Sequence, residues 1–176
     1  MVEMSIYGVS FDLVGKQPIV LLKTADGNRY LPIWIGHPEA AAILMKLQGA
    51  SAPRPLTHDL LVNILGELEV EIVRVTVTEL RENTFHASIT VAQNGSEIEI
   101  DSRSSDAIAV AVRAHAPIFA ADEVIEESAI EMEGEDVNEE EIVSEFRSFL
   151  DRVSAEDFAE AEAEELAEDD EEDETG

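Results

Sequence analysis

The stretch that decides the fold runs Val70-Glu-Ile-Val-Arg-Val-Thr-Val77, turns at Arg81-Glu-Asn83, continues as Phe85-His-Ala-Ser-Ile-Thr-Val91, and crosses Asn94-Gly95 into Glu97-Ile-Glu-Ile-Asp-Ser102. From Val70 the apolar period is two: Val73, Val75 and Val77 fall on one face, and so do Phe85, Ala87, Ile89 and Val91. Such alternation marks half-buried strands, because successive side chains of a strand point to opposite faces. Asn-Gly is a favoured two-residue hairpin turn, so the three segments form an antiparallel meander. We expect Val73, Val75, Phe85, Ile89, Ile98 and Ile100 in one sheet, covered by the helices at Ala40 to Leu47 and Ile108 to Val112.

Upstream, Met4 to Leu13 and Pro18 to Thr24 are β-rich, Ala25-Asp-Gly-Asn28 supplies turn chemistry, and Arg29 to Ile35 resumes the pattern as a hairpin. Pro32 lacks an N–H for a central ladder and favours an edge. Pro38 suits a first helical position, Ala40, Ile43, Leu44 and Leu47 follow helical spacing, and Gly49 stops the helix. Beyond the breakers Ala50 to Pro55, Thr57 is the expected N-cap of a second helix carrying Leu61, Ile64, Leu65 and Leu68. Downstream of the meander, Ser104 or Ser105 is the expected cap of a third helix with Ile108, Ala111 and Val112 on its buried stripe, ending at Ala116-Pro117. A short Ile118-Phe-Ala120 run follows, and Val124, Ile125 and Ala129 can dock on the domain.

These elements define an α+β fold: a mostly antiparallel sheet with hairpin and meander, and short packed helices in a single compact domain over residues 1–132. Residues 133–158 read as a linker and an amphipathic helix, capped at Asn138 with Ile142, Phe146, Phe149, Leu150 and Val153 on one stripe. Residues 159–176 read as a disordered acidic tail, with eleven acids in eighteen positions.

The 176 residues carry a formal charge of −29 and no cysteine, which excludes disulfides, thiolate metal sites and a cysteine nucleophile. The acidity is concentrated: Asp122 to Gly176 holds 26 acids against Arg147 and Arg152, whereas Met1 to Ala121 holds 14 acids and 9 bases. A sequence pI near 4.1 argues against nucleic-acid binding by the whole surface, but a local basic cleft in the first 121 residues is compatible with it. No basic segment followed by an apolar run opens the chain, and no apolar stretch approaches the eighteen residues of a membrane span. We therefore read it as a cytoplasmic protein that does not enter a membrane.

Three segments join helix starts to side chains able to do chemistry: Gly36-His-Pro-Glu39, Arg54-Pro-Leu-Thr-His-Asp59 and Asp101-Ser-Arg-Ser-Ser-Asp106. Asp101 and Asp106, with Glu39, are candidate ligands of a hard divalent ion, and His58 with Asp59 is a candidate proton-transfer pair. Arg54, Arg103 and Arg113 are the candidate phosphate binders. Each has a structural alternative: Asp106 and Glu39 as helix-start charges, Asp101 as a strand terminator, Asp59 as a solvated charge behind the cap, the arginines as salt-bridge partners. Trp34, between Ile33 and Ile35, is a core or interface residue before it is a base-stacking platform.

Taken in order, Leu31-Pro-Ile-Trp-Ile-Gly-His-Pro-Glu-Ala40, Arg54-Pro-Leu-Thr-His-Asp-Leu60, Thr84-Phe-His-Ala87, Asp101-Ser-Arg-Ser-Ser-Asp-Ala-Ile-Ala109, Arg113 and Pro117-Ile-Phe119 resemble the bifunctional nuclease domain family. The resemblance covers Met1 to Met132, and Glu145 to Leu150 with Asp157-Phe158 looks like the family's bacterial C-terminal helix. It departs at Ser104, where the family usually has proline. The resemblance implies a compact α+β domain, a homodimer, and cleavage of both DNA and RNA. Phosphodiester hydrolysis needs an activated water and stabilised charge on the phosphorane, which Mg²⁺ or Mn²⁺ on Asp101, Asp106, Asp59 or Glu39 with Arg and His nearby would supply. The rival expectation is a non-catalytic regulatory module that uses the same helix starts to bind a small phosphorylated ligand, or its apolar stripes to bind a protein.

Overall fold

Alternation and turn residues build two three-stranded antiparallel ladders, and one short strand joins them. In the computed structural model residues 1–12, 17–27, 29–50 and 52–131 are described, within a compact unit Met1–Val137. The linker and helix expected over 133–158 and the tail expected over 159–176 lie outside the described residues. The first ladder contains β1 (Val2–Asp12), β2 (Gln17–Thr24) and β3 (Arg29–Trp34). Two helices follow, α1 (His37–Leu47) and α2 (Thr57–Glu67), and then the second ladder, β4 (Glu71–Arg81), β5 (Thr84–Gln93) and β6 (Ser96–Arg103). The chain continues through α3 (Ser104–Ala114), β7 (Ile118–Ala120), α4 (Asp122–Ser128) and β8 (Ile130–Glu131). The sheet has eight strands in the order β6-β5-β4-β7-β1-β2-β3-β8, and β4 with β7 is its parallel pair. β7 is three residues long, yet it pairs Val75 with Ile118 on one side and Met4 with Ile118 on the other.

Both tight turns of the meander have the positive φ that their sequences anticipate. Asn94 and Gly95 sit at φ 52 and 78, and Glu82 and Asn83 at φ 50 and 59. The register differs from expectation at β4. A bulge at Val73 puts Ile72, not Val73, opposite Val91, while Val75 faces Ile89 and Ile89 faces Ile100. Val75, Val77, Ala87, Ile89 and Val91 are buried on that face, against an α3 whose residues Ala107 to Ala111 are all buried. Phe85 is half-buried, and Ile98 and Ile100 are 51% and 43% exposed because β6 is the sheet edge and no helix reaches over it. The expected cover over these two isoleucines is therefore absent.

Helix starts also depart from the sequence expectation. The N-cap of α2 is Leu56 rather than Thr57, because the Asp59 carboxylate reaches back to accept the Leu56 N–H at 2.9 Å and does the work of a capping hydroxyl. The N-cap of α3 is Arg103 rather than a serine, and Ser104 and Ser105 are buried in the first turn. α1 buries Ala40, Ala42, Ile43 and Leu44, whereas α2 buries none of its residues. Val124 and Ile125 of α4 are buried as expected. Pro32 lies in β3 beyond its short pairing with β8, on the edge that suits it. Trp34 there is half-exposed between buried Ile33 and Ile35. Among the described residues no helix is long and apolar enough to cross a membrane.

Candidate active site

Three carboxylates occupy the same local position, the third residue of a helix: Glu39 in α1, Asp59 in α2 and Asp106 in α3. Helix-start electrostatics explains that placement for all three. It does not explain where two of them point, because of the three only Asp59 caps its own helix through a hydrogen bond. Asp106 instead accepts from His58 Nε2 at 2.9 Å through Oδ1 and from Arg103 Nε at 2.7 Å through Oδ2. Arg103 also donates through its second terminal nitrogen to Glu39 at 2.8 Å. The Glu39 carboxylate lies against Gly36, where any side chain would collide with it. One guanidinium thus ties the first turns of α1 and α3, and His58 ties α2 to the same carboxylate.

The electrostatics follow from those contacts. Partial burial pushes the Asp106 carboxyl up, but hydrogen bonds and charge from Arg103 and His58 outweigh it and hold the group below its ordinary range. The Arg103 guanidinium is raised above its ordinary value, chiefly by the hydrogen bond to Asp106 and also by Glu39. Because a carboxylate only accepts, His58 Nε2 carries the proton of that contact in the neutral ring and Nδ1 is left as the acceptor. His58 is 13% exposed while Arg103 is 67% exposed, so the imidazole is sheltered and the cation faces solvent.

The other expected residues are placed differently. Asp59 pairs with Arg113 at 2.6 Å rather than orienting the adjacent His58. The Asp59 carboxyl is lowered mainly by the Leu56 N–H, against an opposing effect of burial, with Arg113 adding to the lowering. Arg113, expected to hold phosphate, is a structural tie: 5% exposed, it also donates to the carbonyls of Ala109 and Ala42 at 2.9 and 3.1 Å. Asp101 is exposed on β6, away from the cluster's contacts, and Arg54 lines a separate cavity with Lys46. Lys46 escapes a search for helix starts because it sits in the last turn of α1, although the scarcity of bases in the first 121 residues could single it out. His86, in mid-strand, escapes it too. It lies opposite Arg103 across β5 and β6, with an Arg81 nitrogen 3.4 Å from its Nε2.

Among the described residues no three His, Asp or Glu side chains are grouped to hold a metal, and the Arg103 guanidinium already occupies the position between Glu39 and Asp106. What the cluster offers is a carboxylate-held imidazole beside an exposed guanidinium.

The chain is thus an α+β domain with one mixed sheet, whose helix starts gather carboxylates, an imidazole and an arginine. The chain belongs to the bifunctional nuclease domain family, whose sequence profile matches residues 20–133. It is 38% identical over 162 residues to an uncharacterized protein of Mycobacterium tuberculosis, covering 89% of this chain and 97% of that protein. It is also 27% identical over 103 residues to bifunctional nuclease 1 of Oryza sativa subsp. japonica, covering 56% of this chain and 31% of the rice protein. The bifunctional nuclease of Oryza minuta matches to the same extent.

Proposed function

We propose that this protein hydrolyses phosphodiester bonds in DNA and RNA at the His58, Asp106, Arg103 and Glu39 cluster. The observation that carries the reading is the His58 to Asp106 contact beside a solvent-facing Arg103. His58 Nδ1 takes a proton from water as the water oxygen bonds to phosphorus, and Asp106 steadies the imidazolium that forms. Arg103 has N–H groups beyond the two it gives to carboxylates, and these stabilise the charge on the phosphorane oxygens. The bond to the leaving sugar oxygen then breaks, and that oxygen takes its proton from solvent at the exposed rim.

The test uses highly purified full-length protein on single-stranded DNA and RNA, beside His58→Ala and Arg103→Gln. Loss of the general base is expected to lower the rate by about 10²- to 10⁴-fold with both substrates. Cleavage that persists unchanged in His58→Ala defeats the reading. The Mg²⁺ or Mn²⁺ requirement expected from the chemistry is tested in the same assay by chelation: none of these steps passes through an ion, so cleavage is expected to survive EDTA.

We also infer a homodimer, through the α2 and β6 surface. Leu60, Leu61, Ile64 and Leu68 on α2 are all exposed, as are Ile98 and Ile100. The Gln93 side chain, at the β5 end of the hairpin, donates to the Leu68 carbonyl at 3.2 Å and ties the end of α2 to that hairpin. So broad an apolar face marks an interface. Light scattering that gives the monomer mass across micromolar concentrations removes this inference.

A further inference from the structure

We propose that the two cavities on either side of Lys46 form one binding site for a nucleotide unit, with its phosphate between Lys46 and Arg54 and its base against β1 and the end of α3. The choice of a nucleotide rests on the nuclease reading; the site itself rests on the charge of one cavity, the apolar walls of the other and the lysine they share.

The first cavity, about 290 Å³, lies between the end of α1, the Ala52 to Leu56 loop and the start of α2. Its charged side chains are Lys46, Arg54, Arg113 and Asp59. Asp59 and Arg113 neutralise each other, and both Asp59 oxygens are occupied, one by Arg113 and one by the Leu56 N–H. Lys46 and Arg54 have no ion-pair partner among the described residues. By contrast Arg74, Arg81, Arg103 and Arg113 each have a carboxylate. In a chain of net charge −29, two unneutralised cations converging on one cavity favour an anion there, and phosphate suits paired N–H donors. Asn63 on the same wall adds an amide able to donate to a phosphate or a sugar hydroxyl.

The second cavity, about 500 Å³, has Met4, Ile6, Leu47, Val112, His115 and Ile118 in its lining, and Lys46 lines it as well. Its walls are apolar except for Ser5, Lys46 and the His115 imidazole, so it can take the flat, weakly polar face of a nucleobase. Small-ligand sites span about 300–1,000 Å³, so the second cavity falls within that range and the first at its lower edge, and together they have room for a phosphate and a base. The cleavage cluster is on the other side of the first turn of α2: His58 points to Asp106 and Asp59 to Arg113, seven residues or about 10 Å further along α3. A strand bound at both places is held away from the bond being cut as well as at it.

Titration calorimetry of the full-length protein at low salt, with AMP, adenosine and inorganic phosphate as probes, tests the site. AMP is expected to bind at least tenfold more tightly than phosphate or adenosine. Lys46→Gln with Arg54→Gln should weaken AMP at least tenfold while circular dichroism and the melting temperature hold. Ala116→Leu, which fills the apolar cavity, should weaken AMP and leave phosphate alone. Equal affinities for AMP and phosphate, or a double variant that binds AMP like the parent, overturn the proposal. His58→Ala keeps the two readings apart. AMP binding without any cleavage by the parent protein defeats the catalytic reading and supports this site. His58-dependent cleavage without AMP binding defeats this site alone.

Discussion

Helices α1 and α2 are each eleven residues long and repeat their apolar residues at the same spacing, yet α1 buries four side chains and α2 buries none. α1 is packed between β2 and α3, whereas α2 meets α3 and the start of β4 along one side. Apolar periodicity states that a helix has a face to cover, and it is silent on what covers it. Beside half-buried Val62 and Leu65, polar contacts position α2: His58 to Asp106 and Asp59 to Arg113 at its start, and the Leu68 carbonyl accepting from Gln93 at its end. A helix held by its charges keeps those charges in fixed geometry, which is what a site requires, and leaves its apolar face free for a partner.

The largest effect should come from removing the tie that α2 depends on. Arg113→Met leaves Asp59 without its cation and takes the second donor from the Ala109 and Ala42 carbonyls, at an expected cost of about 3–5 kcal/mol. Urea denaturation measures it, and a cost below about 1 kcal/mol would mean that polar contacts do not hold α2. Next, Ile43→Ala in α1 removes a fully buried side chain and should cost about 2–5 kcal/mol. The same truncation at exposed Ile64 in α2 should cost far less in dilute protein; equal costs would erase the contrast between the helices.

The sequence makes the same division visible. The meander is legible because alternation and Asn94-Gly95 act over a few residues, and α1 because Pro38 and Gly49 bracket its stripe. The α+β class follows from them. β7 is not legible as a joining strand: three residues carry no period, and their pairing with β4 and β1 is set only when the chain has folded. Both N-cap assignments miss because local rules look for a hydroxyl at the cap: at α2 the Asp59 carboxylate takes the Leu56 N–H instead, and at α3 the cap residue, Arg103, makes no side-chain cap bond. Four of the candidate residues are joined by contacts, Glu39, His58, Arg103 and Asp106, while Asp59 and Arg113 form a separate pair. Their pairing is not legible, since His58 and Asp106 lie 48 positions apart and no spacing rule joins them.

Acid should loosen α2 before it disturbs α1. The Asp59 and Asp106 carboxyls are both lowered in the folded chain, so each contributes stability that is present above the unfolded value near 3.8 and is lost as pH falls through the folded values. Melting temperatures taken from pH 5 down to pH 2.5 should fall below about pH 4, and the fall should be shallower in Asp106→Asn, which has no such charge to lose. Identical pH profiles for the parent and Asp106→Asn would show that the Arg103 and His58 contacts add nothing.

The smallest effect is expected at the apolar face itself, and its dependence on concentration is what makes it informative. Leu60→Gln and Ile64→Gln replace exposed side chains, so in a monomer they should change stability by no more than about 0.5 kcal/mol. A second copy that binds only the folded state adds stability that grows with protein concentration. The parent's melting temperature should therefore rise over a hundredfold increase in concentration, and the double variant's should not. Below the dissociation constant the two should melt together, since neither then has a partner to lose. If the variant is destabilised equally at every concentration, α2 is covered from within its own chain and the contrast with α1 disappears. If neither protein responds to concentration and both scatter as monomers, the exposed leucines belong to a surface that a different molecule covers.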